Sequence, residues 1–487
     1  MRLVLVFGVI GRLVEIFSLT FLPPAVLALA DGETRSFLTF GGTAAGAFLL
    51  GRLFGLRRPL PLFRRAEAIA VVAGSWLVVA AISSVPYVLA GLAPVDAWFE
   101  SMSGFTTTGA TILRDFSVHD RAFFLWRSMT QWFGGLGVIA LFVVILPHLG
   151  IAGRQLFFAE ASGATADGVN PKIRSTALRL WLLYGGLTLL EALLLAGVAG
   201  MAPFDSLCHA MTTMAAGGFS PHPRSVAGYG NPEAEWILVV FMLLGGTSFP
   251  LLWNALTGRL RLLLRDGELR FYLLAFALGA GGTALVVAGG IPGAEELRAG
   301  AFQSASLISS TGYASVDYNL WGDGARILLV FVMLVGGCAG SAAGGAKAIR
   351  LLLLLKFCWR EVLLVLHPQA VAPVRYRGRP VPGEALRAVI HVVVVYLALY
   401  FLLGASLVLL GTDLVTGLSA SLACVGNIGP AFGPAGPMGS YADLPSISKV
   451  LLSLGMWLGR LEIVAVLALL NPSVWRLSRW SEAVPGR

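Results

Sequence analysis

Charged side chains are scarce in this chain of 487 residues: Asp, Glu, Lys and Arg together make up 13% of it, while 57% is hydrophobic. Soluble domains are about 45–50% apolar and about 25% charged. The mean hydropathy of +0.80 excludes an ordinary soluble protein, because so much apolar surface requires lipid around it. No long charged or Ser/Pro-rich stretch separates a soluble region, so the composition predicts a single membrane domain.

Patterns typical of catalysis and metal binding are also missing. The four cysteines lie far apart in apolar runs without CxxC spacing, which excludes a disulfide framework and a cysteine metal site. The histidines have no ligand spacing, and no phosphate-binding loop, nucleophile elbow or dinucleotide-binding glycine motif occurs. The sequence therefore predicts a protein that is not an enzyme and that holds no bound cofactor.

The excess of positive charge, +9 in total, is concentrated in short segments between apolar runs. The clusters are Arg52, Arg57, Arg58, Arg64 and Arg65; Arg259, Arg261, Arg265 and Arg270; Lys356, Arg360, Arg375, Arg377, Arg379 and Arg387; and Arg476, Arg479 and Arg487. Such placement is typical of the cytoplasmic loops of membrane proteins. It therefore indicates membrane topology and not binding of nucleic acid.

Apolar runs of about 20 residues are long enough to cross a membrane. Ten such runs are present, at residues 3–28, 36–55, 67–92, 122–148, 177–200, 234–257, 270–290, 325–355, 385–411 and 446–470. An even number of spans places both termini on one side of the membrane. The basic segments fall on that same side, so both termini are predicted to be cytoplasmic.

The first apolar run also imitates a secretory signal, because Arg2 precedes it and the tripeptide at 28–30 resembles a cleavage site. The run is too long for the core of a signal, however. It also carries Arg12 and Glu15, which can pair on one helix face. We therefore expect a retained transmembrane helix.

After the first two spans, a pattern recurs four times. Each unit contains a span, a short half-apolar segment, a polar strip with glycine, and a second span. Asp96, Asp205 and Asp413 are predicted to cap the short segments as helices of about ten residues, which are too short to span and are therefore re-entrant. The predicted fold is an all-α polytopic membrane protein with four pseudo-symmetric repeats of span, pore helix, filter and span. Its regions are residues 1–65, with two extra N-terminal helices, and the repeats at 66–150, 151–265, 266–370 and 371–487.

The polar strips are the candidate functional sites. They are residues 106–111 (TTTGAT), 215–220 (AAGGFS), 310–315 (STGYAS) and 427–432 (NIGPAF), here called strips one to four. Glycine lets successive backbone carbonyls turn towards one axis, where a ring of oxygens can replace the hydration shell of a cation. No strip holds Lys or Arg, which disfavours an anion pore. The strips also lack a ring of acidic residues, which disfavours a pore for a divalent ion. The C-terminal dipole ends of the short helices favour a cation as well.

Several motifs resemble the Trk/Ktr/HKT superfamily of K⁺ transporters, in particular the membrane subunits of the bacterial TrkH and TrkG type. The resemblance covers nearly the whole chain and is carried by the strips, residues 127–137 (RSMTQWFGGLG), residues 336–341 and residues 459–462. It implies K⁺ as the transported ion, and Gly109 supports K⁺ because Ser at this position in relatives goes with Na⁺ transport. Strip four departs most from the pattern, since it has no Thr. The filter backbone that the resemblance implies is Thr107, Thr108, Gly109, Ala216, Gly217, Gly218, Ser310, Thr311, Gly312, Asn427, Ile428 and Gly429.

The run at 325–355 is interrupted by residues 336–347 (GGCAGSAAGGAK), here called the glycine loop. So many small residues hold a continuous helix poorly, which predicts that the chain leaves the helix inside the membrane and blocks the pore until it moves. Close helix packing would explain two or three glycines, but not their density or Lys347 at the end. By resemblance this is the gating loop of the family, and Arg460 in the last span contacts it and adds a barrier to cations. The predicted gating residues are Gly336, Gly337, Gly340, Gly344, Gly345, Lys347 and Arg460.

The resemblance further implies a homodimer with one pore in each protomer, located in the bacterial inner membrane. It also implies a cytosolic TrkA-type subunit that binds nucleotides and controls opening. An ion-coupled secondary transporter and a Na⁺-permeable relative stay open as alternatives, although repeats that all run the same way disfavour the inverted repeats of many secondary transporters. A membrane-embedded enzyme is disfavoured because no catalytic cluster is present.

Overall fold

The computed structural model describes residues 2–55, 65–140, 171–461 and 463–469 together with Pro472. Most of this is helix, and the sheet found within these ranges is a two-stranded hairpin. Among the residues that the structure describes, six helical segments are long and apolar enough to cross a membrane, or seven if a bent pair counts as one span. The chain is therefore a multi-pass, all-α membrane protein.

The N-terminal region and unit one supply the first six helices. They are α1 (Leu3–Phe17), α2 (Leu22–Ala30), α3 (Thr34–Phe54), α4 (Arg65–Leu89), α5 (Pro94–Phe105) and α6 (Arg121–Ala140). Glu15 of α1 pairs with Arg52 at 3.5 Å, and not with Arg12 as predicted, because α1 and α3 lie side by side. The last part of the predicted span at 122–148 lies outside the described residues.

Units two to four supply the remaining elements. Unit two holds α7 (Pro171–Gly197), α8 (Pro203–Met214), α9 (Pro232–Gly245), α10 (Phe249–Leu256) and α11 (Leu260–Leu264). Unit three holds α12 (Gly267–Ala288), α13 (Ala294–Ile308), α14 (Asp323–Val335) and α15 (Ala348–Leu366). Unit four begins with the antiparallel strands β1 (Arg375–Tyr376) and β2 (Arg379–Pro380), followed by α16 (Gly383–Leu409), α17 (Leu414–Val425), α18 (Ser446–Arg460) and α19 (Ile463–Leu469).

Four of the ten predicted spans are interrupted helices. The span at 3–28 is divided into α1 and α2 by a short 3-10 segment, Ser18–Phe21. The span at 234–257 consists of α9 and α10, which are bent by 104° at a break, because a proline at the start of α10 cannot continue the preceding helix. The span at 325–355 is divided into α14 and α15 by the glycine loop, and the span at 446–470 is divided into α18 and α19. The total of ten spans stays a prediction.

The short helices α5, α8, α13 and α17 contain 12 to 15 residues. At 1.5 Å per residue they are about 18–23 Å long, so none of them crosses a membrane. Asp413 caps α17 as predicted, and hydrogen bonding from Thr416, whose N–H donates to the carboxyl at 3.0 Å, lowers the pKa of Asp413. Asp96 and Asp205 were predicted as caps too, but they lie within the first turn, because a proline occupies the start of α5 and of α8.

Each short helix packs between its own unit and the preceding one. Within its own unit it contacts the first long helix: α5 contacts α4, α8 contacts α7, α13 contacts α12 and α17 contacts α16. It also contacts the second half of the unit before: α8 contacts α6, α13 contacts α9, α17 contacts α14 and α5 contacts α18. The last of these contacts joins unit four to unit one, so the four units are arranged in a closed ring.

Candidate functional site

The same backbone turn follows all four short helices. The second residue after each helix has a left-handed backbone conformation, with φ of 51° at Thr107, 55° at Ala216, 56° at Ser310 and 52° at Asn427. The next residue donates its N–H back into the helix at 2.8 Å, from Thr108 to Ser103, Gly217 to Thr212, Thr311 to Ser306 and Ile428 to Ala423. A left-handed residue at the end of a helix satisfies its last carbonyls, but it is uncommon without glycine. Strip four, whose sequence departs most, therefore has the same geometry as the others.

A glycine two residues further on brings each strip against the next. Gly109, Gly218, Gly312 and Gly429 have φ of 82°, 77°, 85° and 103°, a region that favours glycine. A Cβ added to any of them would overlap a carbonyl oxygen of the neighbouring strip: that of Gly217 for Gly109, Thr311 for Gly218, Ile428 for Gly312 and Thr108 for Gly429. This order closes from strip four to strip one. The structure thus brings all twelve predicted filter residues together around one centre.

The ring is uncharged and opens on one side to a cavity. Nine of its twelve residues are buried, whereas Gly109, Gly218 and Gly312 are half-buried. These three glycines line a cavity of about 340 Å³ at the end of the strips away from the short helices. Neutral backbone and hydroxyl oxygens beside a cavity can exchange water for protein ligands around an entering cation.

A buried ion pair is hydrogen-bonded to strips one and two. Arg127 of α6 donates from Nε to Glu100 of α5 at 2.8 Å, and from Nη1 to the carbonyl of Ser220 at 3.1 Å. The Glu100 carboxylate also accepts from the Thr111 hydroxyl at 3.0 Å and from the Ile112 N–H at 2.9 Å. Sequence reasoning missed this pair, although an ionisable residue inside an apolar membrane segment is itself a signal.

The polar and small residues of α6 hold strip two in place. Gln131 donates from Nε2 to the carbonyl of Gly217 at 2.7 Å and accepts from the N–H of Phe219 at 3.0 Å. A Cβ on Gly134 would overlap the carbonyl oxygen of Phe105, so this glycine lets α6 pack against the end of α5. The motif at 127–137 therefore supports strip two and allows α6 to pack closely against α5.

Strip four is connected to strip one by a side chain. The Asn427 amide donates to the Thr108 hydroxyl at 3.0 Å and to the carbonyl of Met456 at 2.9 Å. The Tyr441 hydroxyl donates to the carbonyl of Gly429 at 2.7 Å. These bonds connect strip four to strip one, to α18 and to the segment that precedes α18.

The glycine loop lies against the ends of strips three and four that adjoin the short helices. The Gly344 N–H donates to the hydroxyl of Ser310 at 2.6 Å. A Cβ on Gly344 would overlap the carbonyl oxygen of Gly426, immediately before strip four. The loop therefore touches the ring directly, on the side opposite to the cavity.

The backbone of the glycine loop uses conformations that larger residues avoid. Gly336, Gly340 and Gly345 have φ of 69°, 76° and 81°, and Lys347 has φ of 74°. A Cβ on Gly337 would overlap the side chain of Ala343. A helix cannot continue through these conformations, so the break follows from the glycines.

Two buried cations bind consecutive carbonyls of the glycine loop. Arg460 donates from Nη1 to Ala342 at 2.7 Å, and Lys347 donates from Nζ to Ala343. Arg460 Nη2 also reaches the carbonyl of Gly134 in α6 at 3.5 Å, which ties the loop to unit one. Of the motif at 459–462, Glu462 lies outside the described residues.

Known proteins resemble the chain over nearly its whole length. The sequence profile of the TrkH family, described as a cation transport protein, matches residues 53–475. The chain is 36% identical to the Trk system potassium uptake protein TrkH of Halomonas elongata, over 98% of this chain and 100% of that protein. It is 33% identical to the Trk system potassium uptake protein TrkG of Escherichia coli, over 96% and 97% of the two chains. The crystal structure of the potassium transporter TrkH from Vibrio parahaemolyticus matches with a TM-score of 0.89 at 30% identity, over 98% of this chain and 100% of that one.

Proposed function

The chain belongs to the TrkH family of cation transport proteins, and we propose that it takes up K⁺ across a bacterial inner membrane through strips one to four. As a member of this family it is a transport protein and not an enzyme. The observation that carries the proposal is the closed order in which a glycine of each strip lies against a carbonyl oxygen of the next. The names of its relatives, which are potassium uptake proteins, support K⁺ as the ion.

In this proposal the ring is a selectivity filter. Its oxygens replace the water around the ion, while the absence of fixed charge in the strips keeps binding weak enough for release. The short helices α5, α8, α13 and α17 direct their C-terminal dipole ends at the ring, which favours a cation. By the family resemblance, Gly109 supports K⁺ over Na⁺, and a side chain at this position would overlap the Gly217 carbonyl oxygen of the ring.

The glycine loop serves as the gate. The loop lies on the side of the ring opposite to the cavity, where Arg460 and Lys347 place two buried positive charges along the loop. These charges oppose the passage of a cation, so conduction requires the loop to move away from Ser310 and Gly426. The glycines give the backbone the freedom for such a movement.

Control of opening comes from outside this chain, through a cytosolic TrkA-type subunit that binds nucleotides. The described residues contain helices and one hairpin and lack a nucleotide-binding sheet, and the names of the relatives place those proteins in a Trk system. The basic segments face the cytoplasm, with both termini on that side. The functional assembly is a homodimer with one pathway per protomer.

Flux in liposomes tests the function. The purified protein should pass K⁺ and Rb⁺ down a membrane potential far faster than Na⁺. Gly312→Ala should lower this flux by about tenfold or more, because the added Cβ overlaps the Ile428 carbonyl and distorts the ring. Gly322→Ala is the matched control, since Gly322 has open space around it and an ordinary φ of −64°.

The outcomes separate the alternatives. K⁺ flux that needs no second ion supports a channel, whereas flux that requires a Na⁺ or H⁺ gradient indicates a coupled transporter. Equal Na⁺ and K⁺ flux indicates the Na⁺-permeable relative. If Gly312→Ala conducts like Gly322→Ala, the ring is not the pathway.

A further inference from the structure

A buried carboxylate on a neighbouring helix holds the glycine loop. Glu268 lies in the first turn of α12 and is buried. Its Oε1 accepts a hydrogen bond from the N–H of Ala339, in the middle of the glycine loop, at 2.6 Å. A carboxylate that accepts from a backbone N–H forms a charge-assisted bond, which is stronger than a neutral one. This contact fixes the loop at Ala339, three residues before the Ala342 carbonyl that Arg460 contacts.

The same turn of α12 is joined to the hairpin formed by β1 and β2. Asp266, two residues before Glu268, caps α12 by accepting from the N–H of Leu269 at 2.9 Å. Its other oxygen accepts from Arg377 at 2.9 Å (Nε) and 2.5 Å (Nη2). Asp266 is 3% exposed, whereas the Arg377 side chain is 36% exposed. The ion pair therefore runs from the protein surface into the interior.

Arg377 lies in the turn of the hairpin. Arg377 and Gly378 form the two-residue turn, with φ of 48° and 78°, as expected for the turn type that suits a tight hairpin. Val381 donates its N–H to the carbonyl of Val374 at 2.8 Å, which extends the pairing of the two strands by one hydrogen bond. We call residues 374–381 the basic hairpin.

Apolar side chains of the basic hairpin also share a buried cluster with the glycine loop. Val374 belongs to the same buried cluster as Ala339 of the loop and Ile349 and Leu353 of α15, and Tyr376 packs against this cluster. The hairpin is thus in contact with the loop region through packing and through the Arg377–Asp266 pair. Movement of the hairpin cannot occur without changing the surroundings of Ala339 and Glu268.

We propose that Glu268 is a positioning residue that holds the glycine loop closed, and that Arg377 links this latch to the basic hairpin through Asp266. The inference rests on the proposed function, in which the glycine loop is the gate. A force applied to the hairpin from outside would rotate the first turn of α12. This rotation would withdraw the Glu268 carboxylate from the Ala339 N–H and release the loop. The loop would then keep its contacts with Arg460, Lys347 and Ser310, and its backbone bonds to Gly246 and Phe249.

Basal K⁺ flux in liposomes, without any partner protein, tests the latch. Glu268→Ala should raise basal flux roughly tenfold, the change in population expected when one charge-assisted hydrogen bond to the closed state is lost. Glu268→Gln should give an intermediate value, because the amide oxygen still accepts from Ala339. Arg377→Ala should raise flux in the same direction. Arg379→Ala, in the same hairpin with an exposed side chain, is the matched control and should behave like the wild type.

Selectivity and melting temperature distinguish a latch from a general structural role. A released latch raises flux while the preference for K⁺ over Na⁺ is unchanged, because the ring is not altered. Unchanged or lower basal flux in both Arg377→Ala and Glu268→Gln, with melting temperatures near that of the wild type, overturns the latch. Arg377→Ala keeps the test valid if Glu268→Ala fails to fold, since Arg377 is partly exposed.

The proposed function and the latch fail in different ways. If the wild type passes no K⁺ and Gly312→Ala changes nothing, the pathway itself is wrong. If the wild type conducts, Gly312→Ala blocks it and the Glu268 and Arg377 variants equal the wild type, only the latch is wrong.

Discussion

Glu100 and Arg127 illustrate what single residues do in this protein. Both side chains are almost completely buried, at 0% and 2% exposure, and Glu100 has a partner in strip one while Arg127 has one in strip two. Arg127 also lies 4.0 Å from the ring centroid of Phe219. Breaking such a pair leaves an unpaired charge in the interior, which costs about 3–5 kcal/mol. The pair therefore fixes two of the four strips.

We expect Arg127→Ala to lower both the melting temperature in detergent and the K⁺ flux in liposomes. The cause is the unpaired Glu100 carboxylate and the loss of the bond to the Ser220 carbonyl. Arg114→Ala is the control, because Arg114 pairs with Asp443 at the exposed surface, where an ion pair contributes little. An Arg127→Ala protein that melts and conducts like Arg114→Ala would contradict this role.

At the scale of elements, the glycine loop differs from the helices around it. The helices are held by regular backbone bonds, whereas the loop depends on bonds from elsewhere: to Ser310, to Glu268, and from Arg460 to Ala342. A segment of this kind can change conformation without unfolding its neighbours. That property suits a gate.

Arg460→Ala should raise basal K⁺ flux and leave the order of K⁺, Rb⁺ and Na⁺ unchanged, as measured in liposomes. The variant removes one positive charge beside the ring and the bond to the Ala342 carbonyl. Arg460→Lys separates these two effects, because it keeps the charge while losing the second contact to Gly134. A flux equal to that of the wild type in Arg460→Ala would show that this arginine only joins helices.

At the scale of the whole molecule, the units meet in a ring because each short helix packs against the preceding unit. The strips that follow the four short helices form one ring, so the C-terminal ends of these helices lie on the same side of it. The predicted orientation, with the basic segments in the cytoplasm, then applies to every unit at once.

Cysteine labelling tests this orientation. Val118, between strip one and α6, is 70% exposed, and Val371, just before the basic hairpin, is 95% exposed. A membrane-impermeant maleimide should label Val118→Cys in intact cells and Val371→Cys only in permeabilised cells. The background should carry Cys358→Ser, because Cys358 is exposed while Cys208, Cys338 and Cys424 are buried. The opposite labelling pattern would reverse the topology.

Local features of the sequence were sufficient for much of the fold. Hydropathy indicates the long apolar helices, and short segments before glycine-containing strips indicate helices that do not cross the membrane. The break at residues 336–347 follows from the conformations that glycine allows. Asp413 is a cap as predicted, whereas the proline at the start of α5 and α8 moved Asp96 and Asp205 into the first turn.

By itself, then, the sequence determined the properties that depend on neighbouring residues: apolar runs, helix ends, glycine turns and the position of the loop. The tertiary structure decided every contact between distant parts of the chain. Gly429 meets Thr108 and Arg377 meets Asp266 only after the units are arranged in their ring, and Arg127 meets Glu100 only when α6 packs against α5. The physical reason is that backbone conformation is local, while the partner of a buried polar group is set by which elements pack side by side.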